Sequence, residues 1–283
     1  MDRSGRTFAV IGGTGKTGRR VVERLLDRGL SVRSASRAGP WRFDWERPGT
    51  WGSVLAGADA AYMTYAPDIA LSGAVEAIGR FIDCAEKAGV RRLVLLSGRG
   101  EPEAMRAEAR LQRSAVEWTI VRASWFMQNF SESVFRDGVA QGEVVFANGH
   151  VPEPFVDADD IADVVVAALV EDAHVGKLYE VTGPRLLTFG EAVAEIARGT
   201  TRVVRYVDVP PAEYIAALRQ VGLPDEVVSL LDILVNEVLD GRNAHLTDGV
   251  RDALGRPPRD FASFVADAHA MRSWDDGPLK AQA

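Results

Sequence analysis

The sequence predicts an α/β protein built on a doubly wound parallel sheet, and two features of the chain indicate this fold class. Over the first 160 residues, short apolar segments typical of strands alternate with amphipathic segments typical of helices, as in a parallel sheet covered on both faces. Near the N-terminus, one apolar segment passes through a cluster of glycines directly into a helical pattern. The 283 residues, 47% of them hydrophobic and 26% charged, suffice for one large domain with a smaller appendage.

The predicted strands lie between the helical patterns, and each predicted helix ends at a glycine or a polar turn. The predicted strands are Thr7–Ile11, Ser31–Ser36, Ala58–Thr64, Arg92–Ser97 and Glu117–Arg122. The predicted helices lie at about Thr17–Arg28, Ser72–Ala88 and Glu103–Ser114.

The alternating pattern loosens after Arg122, where Phe155-Val156-Asp157 resembles a strand that stops at an acidic helix cap. We expect residues 1–160 to form the first domain. We expect residues 161–283 to form a smaller mixed region over the carboxyl edge of the sheet, with some strands and helices shared. Its Pro224–Leu239 helix is apolar on more than one face, so it is either a core helix or a wall over an apolar substrate.

The glycine cluster is the most informative local feature. In Phe8–Gly18 an apolar strand leads through Gly12-x-x-Gly15-x-x-Gly18 into an amphipathic helix. Glycines let the backbone approach a pyrophosphate, and the helix N-terminus offers free N–H groups and a positive dipole end, so a Rossmann-type dinucleotide site is predicted. The alternative, a triphosphate-binding P-loop, requires a glycine where Val10 stands, and we reject it.

The end of the second predicted strand indicates which dinucleotide is bound. NAD sites usually carry an acidic residue there, about 20 residues after the glycines, to hold the ribose 2′-hydroxyl. This chain has Ser36-Arg37 instead, which favours the 2′-phosphate of NADPH, with Arg33 and Lys16 as helpers. The alternative is that Arg37 is an ordinary solvated loop residue.

Loops at the carboxyl ends of the strands supply the other expected contacts, since ligands of such sheets lie at that edge. The residues predicted to bind the cofactor are Gly12, Thr14, Gly15, Lys16, Thr17, Gly18, Ser36, Arg37, Asp44, Trp45, Tyr65, Ala66, Pro67, Ser97, Ala123 and Ser124. Trp125, Phe126 and Asn129 are predicted to contact the substrate, although the two aromatic rings could equally be core residues.

Several partners are excluded by composition. A net charge of −7 argues against nucleic acid. A single cysteine, Cys84, and four scattered histidines give no disulfide and no predicted metal site. The longest apolar run, residues 164–170, is too short for a membrane span, and no secretory signal is recognisable. We expect a cytoplasmic monomer or homodimer that binds a small molecule.

These residues resemble the NmrA-like group of atypical short-chain dehydrogenase/reductases. The stretches that carry the resemblance are Gly12–Gly18, Ser36-Arg37, Leu93–Ser97 and Trp118–Phe130. Within the group, the chain resembles the ergot-alkaloid dehydrogenases of the agroclavine dehydrogenase and festuclavine synthase type. The stretches shared with that type are Gly15–Thr17, Ala35–Arg37, Phe43–Trp45, Thr50-Trp51, Ser124–Phe126 and Asn129-Phe130. The resemblance covers about residues 6–185. It implies an NADPH-binding Rossmann fold with a substrate pocket above the nicotinamide, in a group that includes both quinone reductases and dinucleotide sensors.

Typical reductases of this superfamily use a Tyr-x-x-x-Lys pair to donate a proton, and none of the five tyrosines here has a lysine four residues on. We therefore predict an NADPH-dependent reductase whose acceptor needs no such pair: an apolar imine or iminium, a quinone or a conjugated acceptor. The alternative is a non-catalytic NADP(H) sensor acting through a protein partner. Candidate assisting side chains are Arg106, Glu108, Ser97 and Asn129.

Overall fold

The computed structural model describes residues 5–275, which divide into two compact units. The first contains the chain up to Ala123, together with Ala158–Val181 and Asp248–Arg256. The second contains Ser124–Asp157, Thr182–Thr247 and the chain from Pro257 on. The units are therefore interleaved along the chain, whereas the sequence predicts a boundary after residue 160 with some strands and helices shared between the two regions. The interleaving arises because the chain returns to the first unit twice, first for a long helix and a sheet strand and later for a short helix.

The first unit is built on a parallel sheet, in which seven strands of residues 5–275 pair in the order β3-β2-β1-β4-β5-β6-β8. The strands of this sheet are β1 (Thr7–Ile11), β2 (Ser31–Ser36), β3 (Trp41–Arg42), β4 (Ala60–Met63), β5 (Arg92–Gly98), β6 (Glu117–Ala123) and β8 (Lys177–Val181). The order reverses between β1 and β4, and ligands of doubly wound sheets bind beyond the carboxyl ends of the strands at such a point. The predicted Rossmann-type α/β fold is confirmed.

Helices flank the sheet. The helices of the first unit are α1 (Lys16–Asp27), α2 (Trp51–Leu55), α3 (Ala74–Lys87), α4 (Pro102–Gln112), α7 (Ala158–Val170) and α11 (Gly249–Leu254). One core cluster joins Ile11, Met63 and Leu95 of the strands to Phe81 of α3 and Leu111 of α4. On α1, Arg24 donates to Asp159 and Asp163 of α7 at 2.6 Å each. Ion pairs thus join α1 to α7, in addition to the apolar packing of the helices on the sheet.

The predicted strands match the sheet closely, since β1 and β2 have the predicted bounds and β5 and β6 are one residue longer. Two strands were missed. β3 has two residues, too few for a periodicity signal, and β8 lies beyond the region where alternation was expected.

The second unit contains a parallel pair of strands, β7 (Glu143–Ala147) and β9 (Arg205–Val209), and its own core. Its helices are α5 (Asn129–Glu132), α6 (Arg136–Gln141), α8 (Phe189–Thr200), α9 (Pro211–Gln220), α10 (Asp225–Ile233) and α12 (Phe261–Ala270). After α10 the chain forms one turn of π-helix, Leu234–Val238. One face of this segment, including Val228, Leu231 and Val235, is buried in the unit's core. The wall-over-substrate interpretation of its other face stays a prediction.

Candidate dinucleotide site

Close packing in the turn after β1 requires glycine at three positions. Gly12 has a φ of +74°, in the left-handed region, and a Cβ on it would lie 2.5 Å from Cγ2 of Thr64. A Cβ on Gly13 would lie 2.4 Å from Oγ of Ser34, and one on Gly18 would lie 2.1 Å from the carbonyl oxygen of Gly12. At these three positions the turn therefore packs directly against nearby segments of the same chain, and there is no room for a side chain.

Gly15 differs from these three glycines, because it is exposed and its backbone is extended, with φ −76° and ψ 177°. Within residues 5–275, the only atom within 4 Å of an added Cβ, apart from its chain neighbours, would be the Gly12 carbonyl oxygen, at 3.2 Å. Gly15 precedes α1, whose first turn contains no acidic residue and has no side-chain cap from residues 5–275. The first N–H groups of a helix and its dipole attract anions, so this terminus fits the pyrophosphate of a dinucleotide.

Three predicted cofactor residues beside Gly15 have different surroundings. Thr14 is exposed at the tip of the turn. Lys16 is half-buried, and its charge acts on the carboxyl of Asp68 in the loop after β4. Thr17 is 4% exposed, and its Oγ1 lies 2.8 Å from the hydroxyl oxygen of the buried Tyr62. The Thr17 side chain therefore serves packing, and its main-chain N–H is the group left to face an anion.

At the carboxyl end of β2, Ser36 and Arg37 stand where an acidic residue is usual in NAD sites. Oγ of Ser36 accepts a hydrogen bond from the main-chain N–H three residues later, at 3.0 Å, and Arg37 is exposed. Arg33, expected as a helper, donates to two main-chain carbonyl oxygens at 2.7 and 2.8 Å. Its guanidinium also lies 4.6 Å from the centre of the Trp41 ring. Arg33 therefore stabilises the unit, while Arg37 is the exposed cation of this strand end.

Asp44 and Trp45 were expected near the adenine. Trp45 is only 8% exposed, and its indole N–H donates to the carbonyl oxygen of Thr64 at 3.1 Å. Its ring packs in an aromatic cluster whose other members are Phe43, Trp51, Tyr65 and Phe81. The structure thus places Trp45 in the core. Asp44 is half-buried and caps its own turn, while Tyr65 is half-buried and Ala66 and Pro67 are exposed after β4.

The ends of β5, β6 and β8 carry a chain of charged side chains. Oγ of Ser97 donates to Oε1 of Glu108 at 2.6 Å, and Nε of Arg122 donates to the same oxygen at 2.9 Å. Arg122 also pairs with Glu180, which accepts from Nε of Arg99 at 2.6 Å. Burial alone raises the pKa of the Glu180 carboxyl, but Arg99 and Arg122 outweigh it and lower the pKa. This network fixes Ser97 at the edge where the nicotinamide half was expected.

A second carboxyl at this edge was missed by the sequence analysis. Glu101 is 8% exposed, and its carboxyl lies so close to Gly98 that a Cβ there would be 1.9 Å from Oε2. That Oε2 has no hydrogen-bond partner within residues 5–275. Burial raises the pKa of Glu101 well above its usual range, and the charges of Asp68 and Glu108 raise it further. Its place after the Gly98 end of β5 was the available signal, since that edge collects ligand contacts.

The remaining candidates are dispersed. Arg106 is exposed and pairs with Glu103 on the surface of α4. Ala123, at the end of β6, is buried, and its carbonyl oxygen accepts a hydrogen bond from the main-chain N–H of Arg99 at 3.1 Å.

Among the described residues, no group of three or more His, Cys, Asp or Glu side chains could hold a metal ion. In the same part of the chain, no helix is both long and apolar enough to cross a membrane.

Ser124, Trp125, Phe126 and Asn129 belong to the second unit. Ser124 is buried, and Asn129 is half-buried at the start of α5. Trp125 is half-buried, with its ring centre 5.3 Å from that of Phe189 in the unit's core. Phe126 forms an isolated parallel bridge with Val156. Trp125 thus has a packing role, and its predicted contact with a substrate stays a prediction.

A parallel sheet that reverses its order beside a glycine turn and an open helix N-terminus defines a dinucleotide-binding protein of the Rossmann type. Comparison with known proteins agrees: the chain belongs to the NAD(P)H-binding family, whose model matches residues 12–172. The predicted recognition as an NmrA-like reductase is confirmed, and the chain is an NAD(P)H-dependent oxidoreductase of this atypical type.

Two relatives and one solved structure illustrate the assignment. Agroclavine dehydrogenase of Claviceps fusiformis is 30% identical, covering 92% of this chain and 96% of that protein. The NAD(P)H azoreductase of Xenophilus azovorans is also 30% identical, covering 92% and 97%. The NADPH complex of an Escherichia coli quinone oxidoreductase superposes with a TM-score of 0.75 at 20% identity, covering 92% and 99%. The similarity extends over more of the chain than the predicted residues 6–185.

Proposed function

We propose that this chain is an NADPH-dependent reductase that transfers hydride to a small apolar imine or iminium, quinone or conjugated acceptor. The observation that carries the cofactor assignment is Arg37, an exposed cation in the position where NAD sites place a carboxylate. A carboxylate there would repel a 2′-phosphate, whereas a guanidinium binds it with charge-assisted hydrogen bonds.

Different groups of the chain bind different parts of the cofactor. The first N–H groups of α1 and the ammonium of Lys16 bind the pyrophosphate, and Gly15 leaves room for its approach. Ser36 and Arg37 bind the ribose 2′-phosphate. NADPH, when bound, supplies the hydride. Ser97 is held by Glu108 at the edge that orients the nicotinamide half.

The acceptor class follows from the catalytic pair that the sequence lacks. With no lysine four residues after any tyrosine, the usual donor pair for ketone reduction is missing from the sequence. A preformed iminium takes up hydride without a proton, and a quinone passes charge to a delocalised oxygen that is easily protonated. We assign the acceptor contacts to Trp125, Phe126 and Asn129. The reductases and dehydrogenases among the relatives support a catalytic role.

The acceptor class is tested by following NADPH oxidation at about 340 nm with purified protein and a panel of naphthoquinones, N-methylated cyclic iminium salts, azo dyes and simple ketones. We expect turnover of one or more of the first three groups and little turnover of ketones. Tight NADPH binding without oxidation by any member of the panel would contradict the proposal and favour a dinucleotide-binding regulator.

The cofactor assignment is tested by Arg37→Ala, with Arg33→Ala, on the strand that ends just before Arg37, as the matched control. Loss of one charge-assisted contact of about 1.5–3 kcal/mol should weaken NADPH binding by about 10- to 150-fold, with little change for NADH. Arg33→Ala should instead lower the melting temperature, because Arg33 holds two main-chain carbonyls. Equal losses for the two cofactors in a binding titration of Arg37→Ala would rule out contact with the 2′-phosphate.

A further inference from the structure

Glu101 is a buried carboxyl that has no role in the proposed contacts with the cofactor and forms no helix cap. It precedes α4, yet its side chain does not cap that helix and folds back against Gly98 instead. It is 8% exposed, and its Oε2 lacks a hydrogen-bond partner within residues 5–275. A carboxylate buried in this way would lose its hydration with nothing in return, so the group is held as a neutral acid.

The charged groups around Glu101 reinforce the neutral form. Asp68 from the loop after β4 and Glu108 from α4 act on it, and both are acidic. The nearby cations are engaged elsewhere: Arg122 of β6 binds Glu108, and Arg99 binds a carboxylate of β8. The pKa of Asp68 is also raised by burial, with the ammonium of Lys16 opposing it. Burial and the two neighbouring carboxyls therefore all favour the protonated form of Glu101.

Glu101 also lies just beyond the carboxyl end of β5, close to the strands at which the sheet order reverses. β5 lies two strands from β1, which is about 10 Å at a strand spacing of about 4.8 Å. The glycine turn follows β1, and the order of strands reverses between β1 and β4. The half of a dinucleotide beyond its pyrophosphate therefore extends towards the ends of β4 and β5, where Asp68 and Glu101 are found.

We propose that Glu101 is the proton donor to acceptors that gain negative charge on reduction. This inference rests on the proposed function and adds a catalytic residue to it. In quinone reduction, hydride adds to the quinone, the O–H bond of the Glu101 carboxyl breaks, and its proton forms an O–H bond on the reduced ring. The products are the hydroquinone, the oxidised cofactor and a Glu101 carboxylate, which takes a proton from water before the next turnover.

The kinetic test compares an acceptor that needs a proton with one that does not. Glu101→Gln should lower kcat with a naphthoquinone by about 10²–10⁴-fold, the usual contribution of a general acid. The same variant should retain kcat with an N-methylated cyclic iminium salt, whose reduction requires hydride alone. The matched control, Glu103→Gln, makes the same change two residues away at a partly exposed position and should preserve both rates.

A wild-type pH profile provides a measurement independent of any variant. With the quinone, kcat should fall as pH rises through the raised pKa of Glu101, because the carboxyl then loses its proton. With the iminium salt no such fall is expected. Parallel profiles for the two acceptors would overturn the proposal.

Two readouts on the protein without cofactor test the protonated state itself. Infrared difference spectra of wild type minus Glu101→Gln should contain the C=O stretch of a protonated carboxylic acid at neutral pH. The melting temperature of Glu101→Gln should rise relative to wild type as pH increases above about 4.3, where Glu101 ionises in the unfolded chain only. A carboxylate band, or a difference in melting temperature that is independent of pH, would overturn the assignment.

The outcomes also separate this inference from the proposed function. Wild-type protein inactive with every acceptor contradicts the function, while the infrared and melting experiments still report on Glu101. Active wild type with an unimpaired Glu101→Gln variant contradicts the proton donor alone. Equal losses with quinone and iminium also contradict it, because they indicate an effect on hydride transfer or binding.

Discussion

Gly15 and Gly18 lie three residues apart in the same turn, and the structure predicts opposite consequences of replacing each by alanine. A Cβ on Gly18 would lie 2.1 Å from the carbonyl oxygen and 2.7 Å from the carbonyl carbon of Gly12. Both contacts are with backbone, so the turn itself must move. Within residues 5–275, a Cβ on Gly15 would have that oxygen, at 3.2 Å, as its only neighbour within 4 Å, and the extended backbone at Gly15, with φ −76° and ψ 177°, suits any residue.

The magnitudes follow from these contacts. Overpacking at Gly18 costs about 1–3 kcal/mol or more. The better helix propensity of alanine returns at most about 1 kcal/mol. Because both clashes are with backbone, the upper end of the overpacking cost applies, and Gly18→Ala should lower the free energy of unfolding by about 2 kcal/mol. Gly15→Ala should change it by less than about 0.5 kcal/mol, as is usual for an exposed site.

Replacing Gly15 by alanine should weaken the binding of NADPH although it hardly changes the stability of the protein. The methyl group of the alanine would stand between the phosphates and the first N–H groups of α1, which act as charge-assisted donors worth about 1.5–3 kcal/mol. We expect NADPH to bind Gly15→Ala about 10- to 150-fold more weakly, at nearly unchanged stability. Urea unfolding and fluorescence titration with NADPH measure the two effects. Wild-type affinity in Gly15→Ala would refute the placement of the pyrophosphate at this turn.

Two further predictions concern stability and proton donation. In the second unit, Arg185 lowers the pKa of Asp260, which also caps α12, so its stabilisation is present at pH 7 and is lost as pH falls through the lowered pKa. Asp260→Asn should cost about 1 kcal/mol in urea unfolding at pH 7, since the pair is partly exposed, and a cost that persists in strong acid would contradict the linkage. Tyr65→Phe should retain quinone turnover within about tenfold, whereas a loss of 10³-fold in a folded variant would identify a tyrosine proton donor.

Local patterns were enough to predict the strand ends and the glycine turn on which the proposed cofactor site is built. The bounds of β1 and β2, the glycine turn and the Ser36-Arg37 end of β2 are all encoded within short stretches, so periodicity and motif spacing reveal them. The packing of aromatic rings is not encoded in this way. Trp45 was expected near the adenine because it follows a strand end, but it packs against Phe81, 36 residues later. No short-range pattern in the sequence distinguishes a tryptophan that packs in the core from one that contacts a ligand.

Glu101 illustrates the same limit in an ionisable group. Burial raises the pKa of its carboxyl, and Asp68 and Glu108, which approach from another loop and from later turns of α4, raise it further. The missing side chain of Gly98 makes room for this carboxyl. A search for a tyrosine–lysine pair tests one spacing on one helix. It cannot find a single acid whose properties depend on groups from several different elements. The burial of that acid could be read only from the folded chain.

A protonated Glu101 would also narrow the choice among the acceptors that the missing tyrosine–lysine pair left open. An iminium is already cationic and has no use for a proton donor, so retaining an unpaired buried acid at the sheet edge would give that reaction nothing. A quinone or a conjugated carbonyl develops negative charge on oxygen, and a neutral carboxyl stabilises this charge by donating its proton. If Glu101 is the donor, acceptors that end as hydroquinones or enols should be reduced faster than iminium salts of similar size and hydrophobicity.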